Sequence, residues 1–197
     1  MAPKSHKNPT KLFLQCLLAM FLCSQSSQGT ELKETFITVY LQDRSAGPGT
    51  PGGLNYTVVP VTGIPGKLWA FNSFGTIYSG DDPLTEGRDE GSAPVGRMQG
   101  IFVTASLDGT IVQISASLVF TNKKYNGSTL ELQGASSYLN TVREVAVVGG
   151  TGKFRYARGF ATFETIYYEA STVYCLIQCN VTVQHYENLS TKDYSLI

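Results

Sequence analysis

Histidine is scarce in this sequence, with two among 197 residues, His6 and His185. A hydrolase built on Ser, His and Asp needs an imidazole base, and no Gly-x-Ser-x-Gly elbow is present to offer the serine. Cysteine is scarce too, with four residues. Cys175, Cys179 and His185 share one face of a strand-like run, but they are spread along it and cannot reach one ion without a partner strand. No metal site and no cofactor is expected. Long apolar runs are also missing: Leu12 to Cys23 reaches 12 residues, short of the roughly 20 that cross a bilayer. Neither sign of charge dominates, with 15 Lys and Arg against 15 Asp and Glu.

The short apolar run has its own meaning. Lys4, Lys7 and Lys11 precede it, and the small, polar stretch Ser24 to Gly29 follows. That order is a secretory leader over residues 1–29, cut near Gly29; an N-terminal membrane anchor is the alternative. Cleavage removes three lysines and no acids, leaving 12 basic and 15 acidic residues, a net charge of −3. Nucleic acid and anionic membranes are poor partners for such a chain. Secretion would make acceptors of four Asn-x-Ser/Thr sites, Asn55, Asn126, Asn180 and Asn188. The expected setting is extracellular. Cys175 and Cys179 remain after cleavage, and four strand residues span roughly 13 Å, whereas a disulfide needs Cα atoms within about 7 Å. Two thiols packed as small apolar groups are expected.

Gly149-Gly150-Thr151-Gly152-Lys153 invites comparison with a phosphate-binding loop, and the details fail. Val147 stands where the first glycine belongs, and Phe154 where a Ser or Thr would hold magnesium. The residues after it are aromatic and glycine-rich rather than helix-forming. The stretch reads as a turn between strands.

Helical periodicity is absent beyond the leader, and alternation takes its place. Val112, Ile114, Ala116, Leu118 and Phe120 line one face of Thr110 to Phe120; Val173, Cys175, Ile177, Cys179, Val181 and Val183 line one face of Thr172 to Tyr186, with Asn180 opposite. Further strands are expected over 35–43, 56–61, 74–79, 96–106, 129–135, 143–148 and 154–168, with irregular loops over 44–55 and 81–94. Asp108-Gly109 and Asn126-Gly127 mark tight turns. Eight or nine strands joined by short turns make an antiparallel sandwich or barrel, and an eight-stranded barrel has room for one small ligand.

Two charges stand out by position. Asp43 continues the apolar series Ile37, Val39, Leu41, and Arg143 shares a face with Val145 and Val147. If those faces line a barrel interior, the carboxyl is desolvated, its pKa rises and it can act as a general acid, while the guanidinium can orient a phenolate. The other reading of the same pattern is two charges at strand ends facing water.

Several stretches then carry a resemblance: Phe74-Gly75-Thr76-Ile77, Asp81 to Gly87 (DDPLTEG), Val95 to Gly100 (VGRMQG), Tyr125 to Leu130 (YNGSTL), and Val142-Arg143-Glu144 running on to Val147 to Arg155 and Ala157-Arg158-Gly159. In this order, over roughly residues 35–186, the chain resembles the plant dirigent proteins. The resemblance implies an eight-stranded antiparallel barrel over 30–197, oligomeric as a trimer or dimer, secreted to the cell wall. It implies a cavity that orients phenoxy radicals of coniferyl alcohol, made by a separate laccase or peroxidase, toward one lignan enantiomer. It also implies site residues: Asp43 at the family's pocket aspartate, within Gln42-Asp43-Arg44 instead of the usual His-Asp-Ile; Arg143 at the pocket arginine; Phe102 near a pocket aromatic. Ser136 stands where lignan-forming members carry a second aspartate, so a second acid is expected to be absent. That loss supports an alternative the family also offers, a pterocarpan-synthase-type dehydratase-cyclase; a third reading is a non-catalytic wall or defence protein that binds phenolics.

Overall fold

The computed structural model describes residues 32–50, 52 and 55–186. Nine strands follow in order: β1 (Leu32–Arg44), β2 (Val58–Thr62), β3 (Ile77–Thr85), β4 (Pro94–Thr104), β5 (Ile111–Phe120), β6 (Thr129–Ser137), β7 (Val142–Gly150), β8 (Arg158–Glu169) and β9 (Tyr174–Tyr186). From β3 to β9 each strand pairs antiparallel with the next, as their short connections require. β9 then pairs along the whole of β1, from Leu32↔Tyr186 to Arg44↔Tyr174. Pairing of β1 with β3 through Tyr40↔Thr85 and Leu41↔Leu84 closes the sheet. The result is a closed eight-stranded barrel, with β2 lying along the part of β3 that β1 leaves free. Closure removes the long exposed edges that invite aggregation.

Alternation decides what faces inward. On β3 the inner series is Tyr78, Gly80, Asp82, Leu84; on β9 it is Cys175, Ile177, Cys179, Val181, Val183. These series taper. β6 runs inward as Leu130, Leu132, Gly134, Ser136, from large to small. The large end is packed solid: Leu118, Phe120, Leu130, Leu132, Phe154, Val181 and Val183 are each at most 2% exposed. The small end leaves a cavity of about 670 Å³. Gly80 belongs to this design, because a Cβ there would stand 2.6 Å from the Phe102 ring. Gly80→Ala is therefore expected to displace Phe102 and cost about 1–3 kcal/mol of stability by thermal unfolding.

Three expectations are corrected. The loop expected over 81–94 begins only after Thr85, because β3 runs straight through Asp81-Asp82-Pro83. Pro83 is tolerated there because of where its missing N–H would point. The Asp81 N–H bonds the Thr57 carbonyl, so in an alternating ladder the Pro83 position faces the same side, where pairing passes from β2 to β1. Phe154 does not begin β8; it sits in a 3-10 turn, Gly152–Phe154, that folds back into the packed end. Val173 lies before β9 with φ of 50° rather than in an extended strand. The leader over 1–29 and Asn188 fall outside the described residues.

Candidate functional site

β1 carries Asp43 into the cavity at the end of its apolar series. The Ser45 hydroxyl donates to both carboxylate oxygens, at 2.9 and 3.3 Å. Even so, burial raises the Asp43 pKa to about 6. Beyond Leu41↔Leu84, where the β1–β3 pairing ends, Thr57 bridges Arg44 and Asp81, and Asp82 lies close enough to Asp43 to feel its charge. Asp82 is 2% exposed and lines the same cavity. Its cross-strand neighbour on β4 is Met98. Burial, and then the charge of Asp43, push Asp82 up to about 8, although a hydrogen bond from Thr57 pulls the other way. Asp82 Oδ1 is buried with no hydrogen-bond partner. An unmet buried acceptor costs about 1–3 kcal/mol, so its retention needs a reason.

Two carboxyls side by side therefore replace the single acid expected. Ser136 does hold a cavity position without a carboxyl, but the second acid comes from β3. Asp82 was hidden because Asp-Asp-Pro reads as turn chemistry. The signal that finds it is the inward period Tyr78, Gly80, Asp82, Leu84.

Opposite charge enters from β7. Arg143 lines the cavity, and its Nη2 donates to the Thr165 hydroxyl at 3.0 Å. Burial lowers its pKa, yet a guanidinium stays protonated. Arg44 pairs with Glu90 and Arg97 with Asp81, whereas Arg143 forms no ion pair among the described residues. With both aspartates protonated the cavity holds one uncompensated positive charge. Phe102 and Ser136 line the cavity. So does Tyr78, whose hydroxyl donates to the Trp69 carbonyl at 2.8 Å and whose pKa burial raises to about 12.

A buried network fixes the strand end that presents Asp43. Gln42 Nε2 donates to Thr85 Oγ1 at 2.7 Å, and the Tyr174 hydroxyl donates to Gln42 Oε1. Arg44 lies 4.9 Å over the Tyr174 ring and pairs with Glu90 at 2.5 Å. Residues 42 and 44 thus tie β1 to β9 and to the β3–β4 loop on either side of the carboxyl.

The cysteines divide. Both are free, and Cys179 is buried in the core as expected. Cys175 instead lines the cavity, only partly buried. His185 belongs to the packed end, where Thr35 Oγ1 meets its Nε2 at 2.9 Å and Phe154 meets its ring edge-on. Among the described residues no cluster of three His, Cys, Asp or Glu could hold a metal ion. Asn55 and Asn126 are exposed, and Asn180 sits on β9 accepting from Thr38 Oγ1 at 2.8 Å. None of these three lines the cavity.

The arrangement is thus a largely apolar chamber with two buried carboxyls raised to different pKa values and, among the described residues lining it, an arginine without an ion pair. The profile of the dirigent-like protein family matches residues 34–184. Dirigent protein 1 of Arabidopsis thaliana is 38% identical over 57% of this chain, and that match spans 60% of its own length. Pterocarpan synthase 1 of Glycyrrhiza echinata is 32% identical over 79% of this chain and 80% of its own. A solved structure of a pterocarpan synthase dirigent protein superposes with a TM-score of 0.70 at 33% identity, covering 83% of this chain and 91% of that one.

Proposed function

The chain belongs to the dirigent-like protein family, and from that premise we propose that it is a dehydratase-cyclase acting on a phenolic alcohol through a quinone methide. The observation that carries this reading is the carboxyl pair, whose neighbouring members hold their protons to different pH, Asp43 to about 6 and Asp82 to about 8. Two titratable groups pushed apart by their surroundings divide naturally into an acid and a base.

The substrate binds with its conjugated phenol as a phenolate against Arg143, the cation without a carboxylate. Asp82 gives its proton to the benzylic hydroxyl, whose C–O bond breaks as the phenolate electrons move in. Water leaves and a neutral quinone methide remains. A second phenolic hydroxyl of the same molecule attacks the methide carbon. Its proton passes to the Asp43 carboxylate, and the electrons return to the oxygen at Arg143. Transfer of that proton to Asp82 resets the pair. The balance is the loss of one water, with nothing oxidised or reduced. Apolar walls from Phe102, Ile114 and Phe163 hold the intermediate away from solvent and present one face to attack.

Relatives named pterocarpan synthases support this reading. The cavity volume favours a second one. At about 670 Å³ it lies within the range of sites that enclose drug-sized molecules, so two joined phenylpropanoid units fit that class. Here a separate laccase or peroxidase would supply radicals of coniferyl alcohol, and the chamber would guide their coupling to an optically active lignan. In either case we propose a secreted, glycosylated homo-oligomer.

One comparison separates the two. Purified protein is given an isoflavanol carrying both phenols, without oxidant, and in parallel coniferyl alcohol with laccase; products are resolved by chiral chromatography. Enantioselective loss of water without oxidant is the expected result. Enantiomeric excess only in the laccase arm would replace the cyclase by the coupling guide. Asp43→Asn should reduce the oxidant-free rate about 100-fold or more and leave the unfolding midpoint no lower than in the parent; an unchanged rate removes Asp43 as the base.

A further inference from the structure

Cys175 is a nucleophile for which neither reading above has a use. It does not pack as a small apolar group, since it is partly buried and lines the cavity. Its position is specific. In the β1–β9 register Cys175 lies directly across from Asp43. Directly opposed residues on one face have Cβ atoms about 5 Å apart. Asp43 therefore faces Cys175 across the β1–β9 ladder, and Asp82 and Arg143 line the same cavity. That cavity also holds an unmet acceptor, because Asp82 Oδ1 is buried without a hydrogen-bond partner.

The proposed reaction creates an electrophile in that place. The carbon that loses its hydroxyl to Asp82 becomes the methide carbon, a soft acceptor for sulfur. On the dehydratase-cyclase reading, we propose that Cys175 is a covalent capture site for quinone methides that cannot close on their own hydroxyl. The sulfur lone pair forms a C–S bond to the methide carbon. The ring electrons return to the carbonyl oxygen at Arg143, and the thiol proton passes to the Asp43 carboxylate. The product is a stable benzylic thioether, with no oxidant or reductant consumed.

The surroundings of the thiol tune this capture. Burial raises its pKa to about 11, helped by the charge of Asp43 and opposed by Arg143 and a hydrogen bond with Thr165. The thiolate, not the thiol, is the strong nucleophile. A protonated sulfur is slow toward weak electrophiles and loses the race against an internal hydroxyl already in contact with the methide carbon. It wins when that hydroxyl is missing. Capture thus discriminates: substrates of the right shape cyclise, and misfits stay attached.

The test uses an isoflavanol analogue whose attacking phenol is methylated while the benzylic hydroxyl and conjugated phenol remain. Protein and analogue are incubated in oxygen-18 water. Isotope exchange at the benzylic hydroxyl reports that the methide forms, and intact and peptide mass spectrometry reports the adduct. The expected result is exchange together with one adduct per chain, of the analogue mass less water, on the Cys175 peptide. It should vanish in Cys175→Ser and persist in Cys179→Ser. Exchange without an adduct, or an adduct that survives Cys175→Ser, overturns the capture site and leaves the cyclase standing. Neither exchange nor adduct overturns both.

Discussion

Asp82→Asn is expected to slow turnover about 100-fold or more, and at the same time to raise the stability of the protein at alkaline pH. The first effect follows from removing the acid: an amide cannot protonate a leaving hydroxyl, and positioned general acids contribute factors of about 10²–10⁴. The second follows from linkage. Asp82 is raised from 3.8 to about 8 in the folded chain, so the folded state holds a proton there that the unfolded state has released. Stability is then greatest below the unfolded value and falls as pH rises through the window up to about 8. The burden at pH 9 is on the order of a few kcal/mol, since one pKa unit corresponds to about 1.4 kcal/mol. Asn has nearly the same shape and no charge, so it flattens this slope, while Asp43 leaves a shallower one ending near 6. Thermal unfolding of both proteins at pH 5 and pH 9, beside their turnover, checks the prediction. A variant that is slower and also less stable at pH 9 would mean that Asp82 is a structural carboxylate. Loss of activity coupled to gain of stability is the mark of a group kept for function.

Phe154→Ala is expected to cost about 3–5 kcal/mol in urea unfolding, the range for deleting a fully buried aromatic side chain. Phe154 is 0% exposed. Its ring lies 5.0 Å from Tyr125, 5.5 Å from Phe120 and 5.3 Å from His185, centroid to centroid. It plugs the end of the barrel opposite the carboxyl pair. The glycines before it are explained by this plug. A Cβ at Gly150 would stand 2.6 Å from the Phe154 carbonyl oxygen and 2.7 Å from that of Thr129, and Gly152 adopts φ of 59°. The glycine stretch therefore turns the chain tightly enough to drive an aromatic ring back into the core. A loss below about 1 kcal/mol would show that the packed end repacks easily and is not the rigid base on which the cavity rests.

Much of the barrel was legible in local pattern. β5 alternates without interruption, β1 and β9 do so over most of their length, and Asp43 and Arg143 continue apolar series that do face the interior. Phe102 and Ser136, singled out by the family resemblance, both line the cavity. Asp82 was not legible, because Pro83 and the paired aspartates look like a turn to any rule that reads neighbours along the chain. What permits a strand there is the hand-over of its partner from β2 to β1, a contact between segments more than 20 residues apart. The meeting of Asp43 with Cys175 across the β1–β9 ladder, and with Asp82 in the cavity, is hidden for the same reason. Alternation tells which face a residue takes, while register across strands tells which residues meet, and register is set by closure of the whole barrel. The cavity itself depends on the inward taper from Leu130 to Ser136 on β6 being matched on its neighbour β5, from Phe120 to Val112.

The most direct test of the acid–base pair is a carbon-13 NMR titration of the aspartate carboxyl carbons, with Asp43→Asn and Asp82→Asn to assign them. The account predicts two late-titrating carboxyls, with inflections near 6 and 8, and a fall in the Asp82 value when Asp43 loses its charge. Titration of both near 3.8 would contradict it, because two ordinary carboxylates in that cavity would have no proton to give at neutral pH.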